Sequence, residues 1–269
     1  TVRMFIIYHD YMHGSILKKS IIAKWLMNIF GMLILTPASI WKLSHDYHHK
    51  HNSKLYGASI GSYPIMTKKR FLASSRKERI SYLVARHPLT ILFGYFSMFM
   101  FGMVLNPFWN NPKKHLDAGF AFVFHISLLA VLSYFGRYDI LFFTILIPFF
   151  LSMALGAYLF YAQHNFPGVK FKTNNNEWKH ADAAMESTSF MKLNRFWNWI
   201  TGNIGYHHIH HLNAHVPFYR LPEAFEKVDE FKNVVKTSLH PKDIVACLKL
   251  KLWDEENQKM IGLKDLKAA

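Results

Sequence analysis

Only one cysteine, Cys247, occurs in 269 residues. An intramolecular disulfide is therefore impossible, and a cysteine-held zinc or iron–sulfur site is excluded. Charged residues are scarce at 18 %, acidic ones most of all, with 17 Asp and Glu against 32 Lys and Arg. A chain this poor in charge and 51 % hydrophobic is too apolar for an ordinary soluble domain. No secretory signal peptide opens it: the chain begins Thr-Val-Arg-Met-Phe without an initiator Met and reads as part of something longer. The net charge of +15 would suit a nucleic-acid partner only if the cations formed a stripe on a soluble domain. Instead they flank apolar stretches, with ten Lys or Arg against two acids in residues 42–86, the pattern of cytoplasmic loops in membrane proteins. No nucleic-acid partner is expected.

Long apolar runs are what the chain does have. Residues 118–135 and 140–163 are long enough to cross a hydrocarbon core of roughly 30 Å at about 1.5 Å per helical residue, and only Gly136 to Asp139 separate them. The expectation is a transmembrane hairpin over 118–163. A third apolar stretch, 89–109, is broken by Gly94, Gly102, Asn106 and Pro107 and is expected to be re-entrant or interfacial. The stretch from Trp25 to Thr36 is too short to span and is expected in the interface. Lys113 and Lys114 place the preceding loop on the cytoplasmic side by the positive-inside bias. Beyond Phe166 the sequence turns polar. Lys172 to Lys179 reads as a loop and Pro222 to Lys236 as a helix of mixed charge, so 164–269 is expected to form a cytosolic helical cap.

Three histidine clusters stand out against this background: His9-Asp10-Tyr11-Met12-His13, His45-Asp46-Tyr47-His48-His49 and His207-His208-Ile209-His210-His211. On a helix, positions i, i+3 and i+4 share a face, which groups His9 with His13, His45 with His48 and His49, and His207 with His210 and His211. The adjacent pairs His48-His49 and His210-His211 diverge by about 100° around their axes, so each pair is suited to serve two metal ions. A match to His-x-x-His-His arises about 0.07 times per random chain of this composition, and this chain holds two. Nitrogen ligands without thiolate suit a redox metal such as iron. If all clusters build one site, the chain must cross the membrane an even number of times between the second and the third.

Other histidines carry less. His164, where the second span leaves the membrane, can be read equally as ligand or as interfacial residue. His125, mid-span, reads as a neutral hydrogen-bonded ring. His51, His208 and His215 read as solvated neighbours of the clusters, and His87, His115, His180 and His240 as structural. Glu177-x-x-His180 matches one element of carboxylate di-iron bundles but lacks the second copy. Asp10 and Asp46, each following the first histidine of a cluster, are candidates to orient a ring through its free N–H. Trp41, Trp197 and Trp199 read as interfacial aromatics.

Taken with their flanks, Tyr8-His9-Asp10 to Ser15, Trp41 to His49, Tyr161-Ala162-Gln163-His164-Asn165-Phe166 and Thr201 to Leu221, these elements resemble the membrane fatty acid desaturases, in particular the acyl-lipid omega-6 (delta-12) group. The likeness spans residues 1 to about 225. It implies one domain over 1–269: an all-α integral, multi-pass membrane bundle lacking most of an N-terminal hairpin, with its active site on the cytosolic face. It also implies a di-iron site held by His9, His13, His45, His48, His49, His164, His207, His210 and His211, with O2 as co-substrate. The implied substrate is an acyl-lipid or fatty acyl thioester. The implied electron donor is separate, a ferredoxin or a b-type cytochrome with its reductase. Tyr11 and Met12 depart from the Cys-Gly often found inside the first box, which bears on the substrate branch.

An unactivated methylene has no acidic proton, so its dehydrogenation needs a strong oxidant rather than acid–base or nucleophilic chemistry. The same scaffold would serve a fatty acyl or carotenoid hydroxylase, which inserts oxygen. A non-enzymatic bis-histidine haem protein would instead need histidines paired at matching depths in the spans, and a metal transporter would need ligands near the midplane.

Overall fold

The computed structural model describes residues 1–55, 63–173 and 175–267. Its first three helices are α1 (Val2–His13), α2 (Ile21–Leu33) and α3 (Ala38–His51). Ser20 opens α2 by accepting a hydrogen bond from Ala23 N, a side-chain cap on one of the helix's free N–H groups. Between α2 and α3 the chain turns through 90°. Pro37 cannot continue a helix and biases its predecessor away from helical backbone, and Leu35 takes a left-handed φ of 57°. The corner is closed by Thr36 N donating to Gly31 O at 2.8 Å and by Tyr8 Oη donating to Thr36 O at 2.7 Å. A Cβ at Gly31 would lie 2.8 Å from both Thr36 O and Tyr8 Oη, so only glycine admits this approach. The fold thereby sets α3 back across α1.

Two helical stretches, Leu116–Tyr134 and Tyr138–Ala162, are long and apolar enough to cross a membrane by length and composition. The bent α2–α3 pair would be a third if counted as one broken span. The apolar runs 118–135 and 140–163 coincide with these stretches to within two residues at each end, and large apolar side chains on both, among them Phe120, Val123, Phe143 and Leu151, face outward. The interrupted stretch 89–109 forms a short helix Pro88–Leu92, a π-helix Tyr95–Leu105 and a helix Asn106–Asn110. It packs Tyr95, Phe99 and Val104 against Ala121, Met153 and Leu35. His125 is buried within this packing and its Nε2 meets Tyr95 Oη.

Beyond Phe166 the fold departs from an all-α cap. Among the described residues it carries four short strands, β2 (Phe190–Met191), β3 (Lys236–Thr237), β4 (Leu250–Asp254) and β5 (Lys259–Gly262), and a fifth, β1 (Met66–Thr67), joins them from earlier in the chain. β1 runs parallel to β4, β4 antiparallel to β5, and β2 parallel to β3. The Leu-Lys-Leu-Trp-Asp segment joined by a polar turn to Lys-Met-Ile-Gly has the make-up of a hairpin, and Leu252, Trp253, Met260 and Ile261 bury in it. The helix expected over 222–236 is also corrected. It runs only Leu221–Lys227, breaks where Val228 is extended (φ −123°, ψ 108°), and resumes as a 3-10 turn, Asp229–Lys232. A β-branched residue at the break favours that extended backbone. Of the loop expected at 172–179, Asn174 lies outside the described residues, and a 3-10 turn covers Asn175–Glu177.

Candidate metal centre

The corner at Pro37 brings α1, α3, the His207–Leu212 helix and the end of the second long helix to one place, and nine histidine rings meet there. His9, His13, His45, His49 and His210 form one group and His48, His164, His207 and His211 a second, each with its candidate ligand atoms within 4.8 Å of one another. Within the first group the Nε2 atoms of His9 and His45 are 3.0 Å apart, and those of His49 and His210 also 3.0 Å. In the second, His164 Nε2 lies 3.0 Å from His48 Nε2 and 2.9 Å from His207 Nε2. Each adjacent pair divides: His49 and His210 face the first group, His48 and His211 the second, the 100° divergence of neighbouring helical residues at work.

Eight of the nine rings are held in the neutral form. Burial first, then neighbouring imidazoles, hold His45, His48, His49, His207, His210 and His211 well below the usual imidazole range. Burial also brings His13 down to about 2 and His164 to about 4. Neutral imidazole is the metal-binding form, and clustered lone pairs about 3 Å apart repel unless a cation or proton lies between them. His13 Nε2 is buried without a hydrogen-bond partner, as expected of an atom placed for coordination rather than for the protein's own network. The donor set therefore fits two ions of a metal that accepts nitrogen ligands, one with five histidines and one with four.

Second partners fix which nitrogen faces inward. His9 Nδ1 donates to Asp10 Oδ1 at 3.0 Å, while Asp10 Oδ2 accepts from Phe218 N at 2.7 Å; the carboxylate is 2 % exposed. His164 Nδ1 donates to Ser187 O at 3.3 Å. Of the two aspartates considered, only Asp10 has this role: Asp46 is exposed and bonds Lys42 Nζ. The third cluster is seated by Gln163 Nε2 donating to Ile204 O and Met191 N donating to Gly205 O, both at 2.8 Å. A Cβ at Gly205 would lie 2.4 Å from Met191 O, which forbids any larger residue there.

Several residues lie otherwise than their sequence reading. Trp41 is buried rather than interfacial and stacks on His45, with ring centroids 4.5 Å apart at 26°. Its position four residues before His45 on one helix is the signal that could have shown this. Trp199 is largely exposed and Trp197 half-buried. His208 is fully buried against Phe190, Phe225 and Phe231, because its side of the short helix faces the cap core. His215 is exposed, His51 is half-buried and bonds Tyr47 O, and His115 bonds Ser39 Oγ.

An apolar cavity of about 100 Å³ opens onto both groups. Phe5, Ile6, Met98, Phe99, Met153 and Leu159 wall it, and His9, His45 and His207 reach into it. Paired, all-nitrogen groups able to hold metal at the mouth of an apolar pocket, beside helices of membrane-spanning length, are the arrangement of a histidine-box metalloprotein. Comparison with known proteins gives the particular kind. The fatty acid desaturase family model matches residues 1–237. A fatty acid desaturase of Bacillus subtilis (strain 168) is 33 % identical over 98 % of this chain and 75 % of its own length. An sn-1 oleoyl-lipid 12-desaturase of Synechocystis sp. is 23 % identical over 84 % of this chain and 64 % of its own. The chloroplastic omega-6 fatty acid desaturase of Spinacia oleracea is 24 % identical over 84 % and 50 %. This chain belongs to the fatty acid desaturase family, and spans between half and three quarters of the length of these relatives.

Proposed function

We propose that this chain is the catalytic region of a multi-pass membrane desaturase that uses O2 and a di-iron centre to place a double bond in the acyl chain of a lipid or thioester. The observation that carries this reading is the convergence of nine histidines in two groups at an apolar cavity. In this reading His9, His13, His45, His49 and His210 hold one iron, and His48, His164, His207 and His211 the other. The bound pair supplies the oxidising power that an unactivated C–H bond demands. In balance, the methylene pair gives up two hydrogens, an external donor supplies two electrons, two protons are taken up, and dioxygen leaves as two waters.

The rest is positioning by the chain. Asp10 and Ser187 keep the Nδ1 protons of His9 and His164 turned away from the ions, so that Nε2 presents its lone pair. Trp41 holds the His45 ring in plane. The walls built by Phe5, Phe99, Met153 and Leu159 exclude water and receive an alkyl chain, whose burial favours binding at roughly 0.8 kcal/mol per methylene. Residues 89–109 act as a re-entrant or interfacial segment packed on the hairpin, which leaves two crossings between the second and third clusters and puts all three on the cytosolic face. The electron donor is a separate protein, a ferredoxin or a b-type cytochrome.

The test is fatty-acid profiling by mass spectrometry in a membrane-bearing host of known lipid composition, with His210→Ala beside the parent chain. Desaturation removes about two mass units and hydroxylation adds about sixteen. A new unsaturated species that disappears in the variant is the expected result. A hydroxylated product, or an unsaturated one that persists in the variant, overturns the reading.

A further inference from the structure

A second cavity, of about 190 Å³, lies on the other side of the Phe160 ring, which borders both cavities. It is the more polar of the two. His48 and His164 line it, and so do Arg86, Arg70 and Lys54. Arg86 is fully buried, yet among the described residues its hydrogen bonds go to neutral acceptors: Pro64 O, Tyr161 Oη, Asn165 Oδ1 and Leu250 O. Its Nε has no partner. A second buried cation, Lys251, donates to Arg86 O at 2.5 Å, and burial followed by Arg86 pushes its ammonium down to about 8.

A buried guanidinium without a counter-charge is costly, because neutral dipoles replace only part of the lost hydration. Among the described residues no carboxylate lines this cavity, and the neighbouring residues 56–62, Tyr-Gly-Ala-Ser-Ile-Gly-Ser, contain no acidic side chain. Among the described residues Arg86 has no ion-pair partner; the Tyr82 and Tyr161 rings, 5.8 and 5.0 Å from its guanidinium carbon, offset part of its charge and leave room for an external anion to balance the rest. A guanidinium suits a phosphate oxyanion, and Nε–H is the donor that Arg86 keeps without a partner.

We propose that this cavity is a binding site for a phosphate-class oxyanion, with Arg86 as the buried anchor and Arg70 and Lys54 as supporting cations. None of its three cations is a candidate metal ligand, whereas His48 and His164 on the same wall are, so variants of the cations separate anion binding there from binding at the metal. The anion is either free phosphate or the phosphate of a lipid headgroup, which share the same recognition chemistry.

The test is calorimetric titration of the detergent-purified protein with inorganic phosphate, at ionic strength held constant with chloride. Arg70→Gln and Arg86→Gln are titrated alongside, their folding checked by circular dichroism. Expected is saturable binding to the parent that weakens about tenfold in Arg70→Gln, the loss of one charge-assisted contact, and vanishes in Arg86→Gln. Phosphate held directly by metal would leave both variants unchanged. That result, or no saturable binding at all, overturns the proposal; if Arg86→Gln does not fold, Arg70→Gln decides alone. Lysophosphatidate that competes with phosphate while lysophosphatidylcholine does not supports a headgroup as the source. Competition by neither supports free phosphate.

Discussion

Replacing Asp10 by Asn isolates the orientation of one ring without removing a candidate ligand. The carboxylate makes two bonds at once, to His9 Nδ1 at 3.0 Å and to Phe218 N at 2.7 Å. An amide offers one oxygen and one NH2 group, so it can satisfy only one of these as they stand. If the oxygen stays with Phe218 N, the NH2 faces His9 Nδ1, which must then become the acceptor. The ring proton moves to Nε2, 3.0 Å from His45 Nε2, and the inward lone pair is lost. If the amide turns round, Phe218 N is left buried and unpaired, at about 1–3 kcal/mol. Either way Asp10→Asn should weaken metal binding about 10- to 100-fold, the usual effect of losing such a partner. The assay is iron retention against a graded series of chelator concentrations, with Asp46→Asn as the control. That second substitution touches only the exposed pair with Lys42 and should change stability by less than about 0.5 kcal/mol. Equal retention by the two variants would refute the role assigned to Asp10.

Trp41→Ala removes the ring stacked on His45 and should cost about 3–5 kcal/mol, read as a lowered denaturation midpoint. Gly31→Ala places a methyl 2.8 Å from Thr36 O and should cost about 1–3 kcal/mol, with a parallel loss of metal content because α3 carries three of the histidines. Gly156→Leu fills the apolar cavity, where a Cβ already meets Phe99 at 3.7 Å; lipid profiling should show lost or shortened-chain product while iron content stays at the parental level. In the metal-free protein, His164 and His208 both have folded-state values near 4, below the usual 6.5 or so of the unfolded chain. As pH falls from 6.5 towards 4 the unfolded state takes up protons that the native state refuses, so stability should decline across that window. A denaturation midpoint flat over that interval would contradict the burial of these rings.

How far the sequence alone reaches differs from feature to feature. The His-x-x-His-His spacing places ligand types on one helix face, and the split of adjacent histidines between two groups follows from helical geometry. Both long apolar helices are plain from continuous hydropathy. Trp41 was within reach by the same i, i+4 rule, but an isolated tryptophan beside a membrane more simply reads as an interfacial one. The strands at Leu250–Asp254 and Lys259–Gly262 are too short for periodicity to separate from helix. His208 and Arg86 depend wholly on tertiary placement, since nothing local says that the second histidine of the third cluster, or an arginine at the end of a charged helix, will be enclosed.

Each histidine group draws on three stretches of chain. The first joins α1, α3 and the His207–Leu212 helix; the second joins α3, His164 and that same helix. Positions as far apart as 9 and 210 close onto one another, and two helices are common to both groups. With ions in place, the pair would work as a double staple across most of the polypeptide. Neither half could form until α3 and the His207–Leu212 helix had docked in register, so one metal's arrival pre-assembles two walls of the other's nest, and uptake should be cooperative.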